Sequence, residues 1–448
     1  MALHRNSSVM VLPQLDIFEV PPTQLQIQED ISMDHAPFTA ITNHLTPIQF
    51  VTETRREEFV QFRKSELYVK LRIDLQKNNR ADMTAADWIK ICPINYLLNT
   101  MWKHISLEIA GFPVNSTTLN YAYISYMDAL MNLPDDVKFT HLQTALWQDD
   151  ISGSMDAINE VRCLSLKPIN TDYTQSCEIE LLGYLHLDLC AQHRLMLGGL
   201  KLRLTLYPND PKFYLMYEDS LQPTVRFTDV KFSLHRSLVY PQVTRDVDRT
   251  MGEGVARVGH TTKYPITRRQ CRNFIIQRST IEYHENNLMK AEKLPTKCFI
   301  GLVNNEAYNG SNKLNPFNFK HYDLQNIMCV MNSKEYPPRG YECDFKTGQV
   351  NKAYRSLFET LGQIDRPRCS LTREQFMNGY TIFGFNFIPD LSDGVNANGY
   401  ISPIKHGDMS LHIRFKTPLP ETVSVIVYME FDSLIEIPES RIPFKDFT

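Results

Sequence analysis

The sequence lacks the features of a membrane-spanning, secreted or strongly charged chain. No apolar run approaches the roughly 18 residues that a transmembrane helix requires. The apolar patch Val9–Leu12 is too short for the core of a signal peptide, and we interpret the N-x-Ser/Thr sequons at Asn6, Asn115 and Asn309 as chance occurrences. The 47 basic and 51 acidic side chains give a net charge of -4, which excludes a histone-like coat protein and a highly charged disordered chain.

Cysteine is present, but not in the patterns that form disulfide frameworks or bind zinc. The nine cysteines are an odd number, are spread along the chain and include no Cys-x-x-Cys pair. Small buried thiols in a reducing compartment account for this usage better than disulfides do. The sequence therefore predicts a soluble intracellular protein with free cysteines.

Motifs for catalysis are also missing. No Gly-Lys-Ser/Thr of a P-loop, no G-x-S-x-G and no H-E-x-x-H occurs. His186 and His193 are the nearest candidates for a metal site, but they are seven residues apart, and we interpret His186 as a solvated side chain on the polar face of a strand. Asp246 and Asp248 are interpreted as solvated linker residues. We therefore predict a protein that is not an enzyme and has no cofactor or metal.

What the sequence does contain is a repeated alternation of apolar and polar residues. Successive side chains of a β-strand point to opposite faces, so each alternating run predicts a strand with one buried and one wetter face. Clean alternation of this kind is typical of antiparallel sheets, and it predicts an all-β fold. The clearest runs are Leu67–Leu75, Ile105–Ile109, Leu185–Leu189, Leu200–Leu206, Val225–Leu234, Met409–Phe415 and Val423–Phe431.

Two of these runs near the middle of the chain correspond to two near its end. Leu200–Leu206 is followed by Pro208 and Pro211 and then by Val225–Leu234, and Met409–Phe415 is followed by Pro418 and Pro420 and then by Val423–Phe431. This architectural repetition predicts two consecutive β units. We divide the chain into an extended N-terminal arm at 1–46, a first unit at 47–240, an interdomain linker at 241–262 and a second unit at 263–448.

The arm and the connections have their own sequence patterns. The first 46 residues are rich in proline and have no sustained periodicity, so we expect them to dock in extended form on their own body or on a neighbouring subunit. Deleting them should then weaken assembly more than it lowers the melting temperature of the monomer. One helix is predicted across Tyr123–Met131, ending before Pro134, a short helix is predicted in the linker, and Asn304–Asn318 is predicted to be a long loop.

One basic cluster is a candidate functional site. Arg268, Arg269, Arg272 and Arg278 surround the strand-like residues 274–276. They form either a solvated face that bridges to a neighbour or a patch that faces nucleic acid and attracts phosphates without reading bases. Both interpretations stay open at the level of sequence.

Several motifs resemble one family of viral structural proteins. The segment Trp88–Gly111, followed by Tyr121–Leu133, resembles the first domain of double jelly-roll major capsid proteins, with Pro93, Asn95 and Leu107 at matching positions. The resemblance is closer still to the hexon-like capsid proteins of Maverick/Polinton elements, which are virus-like DNA transposons of animals. It continues through LDIF at 15–18, PPTQ at 21–24, KYPI at 263–266, GLV at 301–303, NPFNFKHY at 315–322, NGY at 378–380, PDLS at 389–392 and VIVY at 425–428.

The resemblance implies a fold and an assembly that the spacing alone does not. It implies two eight-stranded antiparallel jelly rolls per chain, with three chains forming a pseudo-hexagonal capsomer. Capsomers would tile an icosahedral shell around the double-stranded DNA of a virus or virus-like transposon. The implied partners are the homotrimer, neighbouring capsomers, penton and minor capsid proteins, and at most non-specific contact with packaged DNA. The implied location is the virion capsid after synthesis in the host cytoplasm, and nuclear assembly is left open.

Two other classes of function are weighed against the capsid hypothesis. A non-catalytic jelly-roll protein that recognises glycans or proteins through its loops, such as a host-domesticated capsid relative, is the alternative. An enzyme on a β-sandwich scaffold is the third, and the missing motifs count against it. The absence of tower-like insertions compared with the best-known capsid families further predicts a compact outer surface.

Overall fold

The computed structural model describes most of the chain. The described residues are 13–15, 17–18, 20–39, 41, 45–78, 84–114, 120–158, 160–163, 176–252, 260–365, 367–391, 400–403 and 405–445. The sequons at Asn6 and Asn115 and part of the predicted linker, 253–259, lie outside them.

The first half of the chain folds into strands joined by short helices. Its strands are β1 (Ile27–His35), β2 (Ile48–Glu53), β3 (Glu58–Val60), β4 (Glu66–Lys77), β5 (Ile91–Pro93), β6 (Trp102–Ile109), β7 (Phe112–Pro113), β8 (Ser176–Tyr184), β9 (Lys201–Pro208), β10 (Leu215–Tyr217) and β11 (Leu221–Val239). Its α-helices are α1 (Leu97–Thr100), α2 (Tyr121–Asn132), α3 (Asp135–Lys138), α4 (Glu160–Cys163) and α5 (Pro211–Tyr214). Single 3-10 turns lie at Pro13–Leu15, Phe62–Lys64, Ala85–Lys90, His141–Ala145 and Asp188–Ala191.

The second half has a similar set of elements. It begins with helix α6 (Pro241–Gly252) and continues through β12 (Thr262–Ile276), β13 (Glu282–Lys293), β14 (Lys297–Asn304), β15 (Leu324–Met331), β16 (Lys334–Glu342), β17 (Ile382–Asn386), β18 (His406–Phe415), β19 (Val423–Ile437) and β20 (Phe444–Lys445). The remaining helices are α7 (Asn305–Asn309), α8 (Asn351–Leu361) and α9 (Arg373–Met377).

The sheets of the two halves have the same topology. The first half forms the four-strand paths β1-β11-β4-β8 and β2-β9-β6-β7, and the second half forms β12-β19-β14-β17 and β13-β18-β15-β16. These paths contain eight strands of each half and leave out β3, β5, β10 and β20. When the eight are numbered in chain order, the strand orders in both halves are 1-8-3-6 and 2-7-4-5, and every pairing is antiparallel. Two four-stranded sheets in this order form a jelly roll. We call Ile27–Val239 the first roll and Thr262–Ile437 the second roll.

Apolar alternation explains why these segments are strands and where the core lies. In β4, Leu67, Val69 and Leu71 are buried, whereas Lys70 and Arg72 point outward. The eighth strand of the second roll, β19, is different because both of its faces are buried. The first-roll sheet has one solvated face, but the corresponding face of the second roll is covered by protein.

Most of the predicted elements are confirmed. The corresponding strand pairs seen in the sequence are the seventh and eighth strands of each roll, namely β9 and β11 in the first and β18 and β19 in the second. The predicted helix before Pro134 is α2, and the predicted linker helix is α6. The predicted loop at 304–318 is interrupted by the short helix α7.

One predicted strand is wrong. The alternating run Leu185–Leu189 is not part of the sheet, because β8 ends at Tyr184 and a 3-10 turn begins at Asp188. Leu185, Leu187 and Leu189 are buried, as a strand would require, but so is Asp188, on the nominal polar face. An extended connection that packs into a core shows the same alternation as a strand without making ladder hydrogen bonds.

The predicted arm contains the first strand of the first roll. Strand β1 pairs with β11 along its length, with Ile31 opposite Arg236 and Met33 opposite Leu234. The predicted boundary at residue 46 therefore falls after this strand, and for β1 the docking partner is the chain's own body. At the other predicted boundaries, β11 ends at Val239 and β12 begins at Thr262.

A glycine in β14 permits close packing on the face of the second-roll sheet that other parts of the protein cover. A Cβ atom at Gly301 would lie 2.4 Å from Cδ1 of Phe319, whose ring is fully buried. We expect Gly301→Ala to lower the free energy of unfolding by about 1–3 kcal/mol, because a buried ring must move. Urea denaturation would measure this. Gly252→Ala is the matched control, since nothing lies within 4 Å of its Cβ position, and an equal loss in both variants would contradict the explanation.

Candidate assembly surfaces

Helix α2 forms the centre of the junction between the two rolls. It lies in the connection between β7 and β8 of the first roll, and all residues from Tyr121 to Met131 are buried. A surface helix would have a solvated side. Burial on every side shows that the two rolls enclose this helix.

Aromatic side chains fill the junction. Tyr126 on α2 stacks on Phe317 of the second roll with ring centroids 4.0 Å apart, and on its own roll's Trp147 at 5.6 Å. Tyr123 meets Phe317 edge-to-face at 5.3 Å, and its hydroxyl donates a hydrogen bond of 3.0 Å to the carbonyl of Pro316. Aromatic contacts of this kind add to the free energy gained by burying their area. They hold the two rolls together as one body.

A buried charged network crosses the same junction. Arg269 on β12 lies 3.2 Å from Asp128 on α2, whose other carboxylate oxygen is 2.5 Å from Nδ1 of His186. Nε2 of His186 is 2.7 Å from the hydroxyl of Tyr96. The backbone N–H of Arg269 also donates to Asp188 at 3.1 Å. The network connects α2, the connection after β8 and the first strand of the second roll.

The electrostatics of this network favour the ionised pair. Burial alone would raise the pKa of Asp128, but the Arg269 charge and the hydrogen bond with His186 hold that pKa well below its usual value. Burial would lower the pKa of Arg269, and the Asp128 charge outweighs it, so the pKa of Arg269 is raised. Each charge is therefore stabilised by the other at a site where both side chains are only 10% exposed.

The predicted role of His186 as a solvated strand residue is wrong. Its side chain is only 11% exposed, it lies beyond the end of β8, and both ring nitrogens have protein partners. His193 is exposed and lies beside Arg63. Among the described residues no group of three or more His, Cys, Asp or Glu side chains could hold a metal ion.

The four arginines of the predicted basic patch do not share one face. Arg269 is in the buried ion pair, and the guanidinium of Arg268 lies 4.8 Å from the ring centroid of Phe431. Arg272 donates to the carbonyl of Leu288 at 2.6 Å and pairs with Glu292 at 2.7 Å.

Arg278 follows β12 and is exposed. Three of the four arginines therefore have partners within the protein. Contact between any of them and packaged DNA stays a prediction.

The other candidate residues lie in ordinary surface surroundings. Asp246 is exposed on α6, whereas Asp248 pairs with Arg441 at 2.8 Å. A surface depression of about 690 Å³ lies on the second roll and has a mixed-charge lining that includes His284, Glu335 and Arg339.

All nine cysteines are free, as predicted. Burial raises the pKa of the Cys343 thiol to about 12. No helix in the described part of the chain combines the length and the apolar character needed to cross a bilayer.

The strand orders and the junction define a double jelly roll. Two rolls of identical topology follow one another in the chain and share a buried interface. The predicted fold class is therefore confirmed. Comparison with known proteins places this fold among the viral major capsid proteins.

Solved structures of viral capsids align with nearly the whole chain. A chain of the Sputnik virophage matches with a TM-score of 0.66 and 11% identity, covering 100% of this chain and 94% of that one. The mavirus major capsid protein matches with a TM-score of 0.58 and 11% identity, covering 100% and 97%. The Faustovirus major capsid protein matches with a TM-score of 0.55 and 8% identity, covering 96% and 93%. The resemblance to double jelly-roll capsid proteins is thus confirmed at the level of fold.

At the level of sequence, one curated relative extends over most of the chain. "Uncharacterized protein F54H12.2" of Caenorhabditis elegans is 26% identical over 414 residues, which are 89% of this chain and 93% of the relative. No protein-family model matches the chain.

Proposed function

We propose that this protein is a structural subunit of an icosahedral shell, the major capsid protein of a virus or virus-like transposon of the Maverick/Polinton type. The observation that carries the proposal is the pair of rolls with the same strand order, held together by a buried junction. A subunit of this kind presents two similar blocks side by side. Three such chains give a ring of six similar blocks, and a six-fold outline tiles a flat lattice.

The proteins that this chain is similar to support the same proposal. The capsid structures that share the fold include the mavirus major capsid protein, and the curated relative comes from Caenorhabditis elegans, an animal. The animal source of the curated relative agrees with an element that resides in an animal genome. The partners are then two further copies of this chain, neighbouring capsomers, and penton and minor capsid proteins, and the protein acts in the virion shell around double-stranded DNA. Its role is structural and not catalytic.

The oligomeric state and the particles that form test this proposal. Light scattering after size exclusion is expected to give a trimer of three times 52.0 kDa, and negative-stain microscopy of concentrated protein is expected to show capsomers or shells. A chain that stays monomeric at every concentration and forms no particles would contradict the proposal. If that monomer bound a defined glycan on an array, the alternative of a jelly-roll recognition protein would take its place.

A further inference from the structure

Three polar side chains form a row across the covered face of a second-roll sheet. Glu430 on β19 lies opposite Lys297 on β14, and Lys297 lies opposite Asn386 on β17. Residues directly opposite each other in an antiparallel pair are neighbours on the same face of the sheet. Two positions along the same strands, Phe299 and Tyr428 are on this face too, and both belong to the core at the junction. The row therefore lies at the edge of a packed interior.

Lys297 and Asn386 form the narrow kind of antiparallel pair. The N–H of Phe387 donates to the carbonyl of Thr296 at 2.9 Å, which makes the next pair along the ladder, Lys297 with Asn386, a non-hydrogen-bonded pair. In such pairs the Cα atoms are only about 4.5 Å apart and the side chains approach most closely. The amino group of a lysine lies farther than this from its own Cα, so it can reach the carboxamide across the strands.

Both members of this pair are in unusual surroundings. Lys297 is only 5% exposed, and lysine is among the side chains least often buried to this extent. Nδ2 of Asn386 is inaccessible to solvent and has no hydrogen-bond partner among the described residues. Its Oδ1 accepts the backbone N–H of Ile388 at 3.0 Å. A buried amide nitrogen without a partner costs free energy, so a structural role alone does not account for this carboxamide.

The carboxylate of Glu430 supplies the third chemical group. Its Oε1 accepts the hydroxyl of Tyr428 at 3.0 Å, which holds it on the face that carries Lys297. A lysine attacks as the neutral amine, and a neighbouring carboxylate can act as the general base that takes its proton. The N–H of Ile388 is directed at Oδ1 of Asn386, where it would stabilise a developing negative charge. The row therefore holds a nucleophile, a base and a polarised amide.

We propose that Lys297 and Asn386 form an intramolecular isopeptide bond that ties β14 covalently to β17. Glu430 takes one proton from the ammonium group of Lys297, and Nζ attacks Cγ of Asn386. The bond between Cγ and Nδ2 then breaks. Nδ2 leaves as an ammonium ion after it receives the proton held by Glu430 and a second proton from Nζ. The products are one amide and one ammonium ion, so the step needs no oxidant or cofactor, and it does not depend on the proposed function.

Mass spectrometry of the intact, denatured full-length protein tests the bond. The protein is expected to be lighter than its sequence by one ammonia, about 17 Da, and trypsin is expected to release one branched peptide that joins the segments containing Lys297 and Asn386. A protein of full sequence mass, or separate linear peptides for the two residues, would overturn the inference. The branched peptide also excludes a succinimide at Asn309–Gly310, which loses ammonia but leaves the peptide linear.

Substitutions assign the role of each residue. Lys297→Met and Asn386→Ala are each expected to have the full mass of their own sequence. Glu430→Gln is expected to slow bond formation by about 10²-fold or more, so that most of the freshly purified protein stays unlinked. Lys263→Met is the matched control, because Lys263 is an exposed lysine of the same sheet that lies opposite Glu436, and this variant should still form the bond. A Glu430→Gln variant linked as fully as the unmodified protein would contradict the assignment of the base.

Discussion

Removing residues 1–36 is expected to abolish cooperative folding of the first roll. The deletion takes away β1, one of five strands in its sheet, and leaves the edge of β11 that it covered unpaired from Phe232 to Val239. It also removes His35, whose Nε2 lies 3.0 Å from Nη2 of Arg236 and 3.3 Å from Thr52 on the opposite sheet. The loss should approach the whole stability of a typical domain, about 5 kcal/mol or more. Urea unfolding and hydrogen exchange of β4 and β11 would measure it.

A shorter deletion is the matched control. Removing residues 1–24 leaves β1 in place, and the described side chains that it removes include Leu15 and Phe18, which are 66% and 93% exposed. The melting temperature is expected to change by no more than about 2 °C, because surface groups contribute little to stability. A longer deletion that melted like this control would show that β1 adds nothing to the roll. The expectation that the whole arm serves assembly more than folding thus applies only to residues before β1.

The body of the fold was predictable because most strands bury one face and expose the other. In β4 and β9 the period of two is nearly unbroken, and the repeated seventh and eighth strands indicated two units. Strand β1 escaped prediction because it is an edge strand with little to bury, and among its nine residues only Ile27, Ile31 and Met33 are large and apolar. Its pairing comes from backbone hydrogen bonds, which leave no mark on the pattern of side chains.

The junction between the rolls was not predictable for a different reason. Asp128, His186 and Arg269 are far apart in sequence, and each of them looks like a solvated polar residue when only its neighbours in the chain are considered. Their partners are tertiary, and a charge pattern in one segment carries no information about a charge in another. The stack of Tyr126 on Phe317 could not be predicted either, since aromatic residues are expected in any core and the sequence does not show which of them are in contact. The sequence therefore predicted the units and missed what holds them together.

Arg269→Met is expected to lower the free energy of unfolding by about 3–5 kcal/mol at pH 7, because it leaves the Asp128 carboxylate buried without its counter-charge. The pH dependence of the free energy of unfolding tests whether the Asp128 carboxylate is responsible for this loss. In the unmodified protein the pKa of Asp128 is lower when folded than when unfolded, so the stabilisation is present above about pH 4 and is lost as the pH falls through the folded value. In the variant, protonation of the Asp128 carboxyl group removes the unpaired buried charge and so stabilises the folded state. The stability difference between the two proteins should therefore shrink between pH 7 and pH 4.

Two further variants show whether the buried pair is responsible. Adding Asp128→Asn to Arg269→Met removes the stranded charge and keeps a side chain able to hydrogen-bond to His186, so part of the lost stability should return. Arg278→Met changes an exposed arginine of the same predicted patch and is expected to alter stability by no more than about 0.5 kcal/mol. Equal losses for Arg269→Met and Arg278→Met, or a difference from the unmodified protein that stays constant with pH, would mean that the junction does not depend on this ion pair.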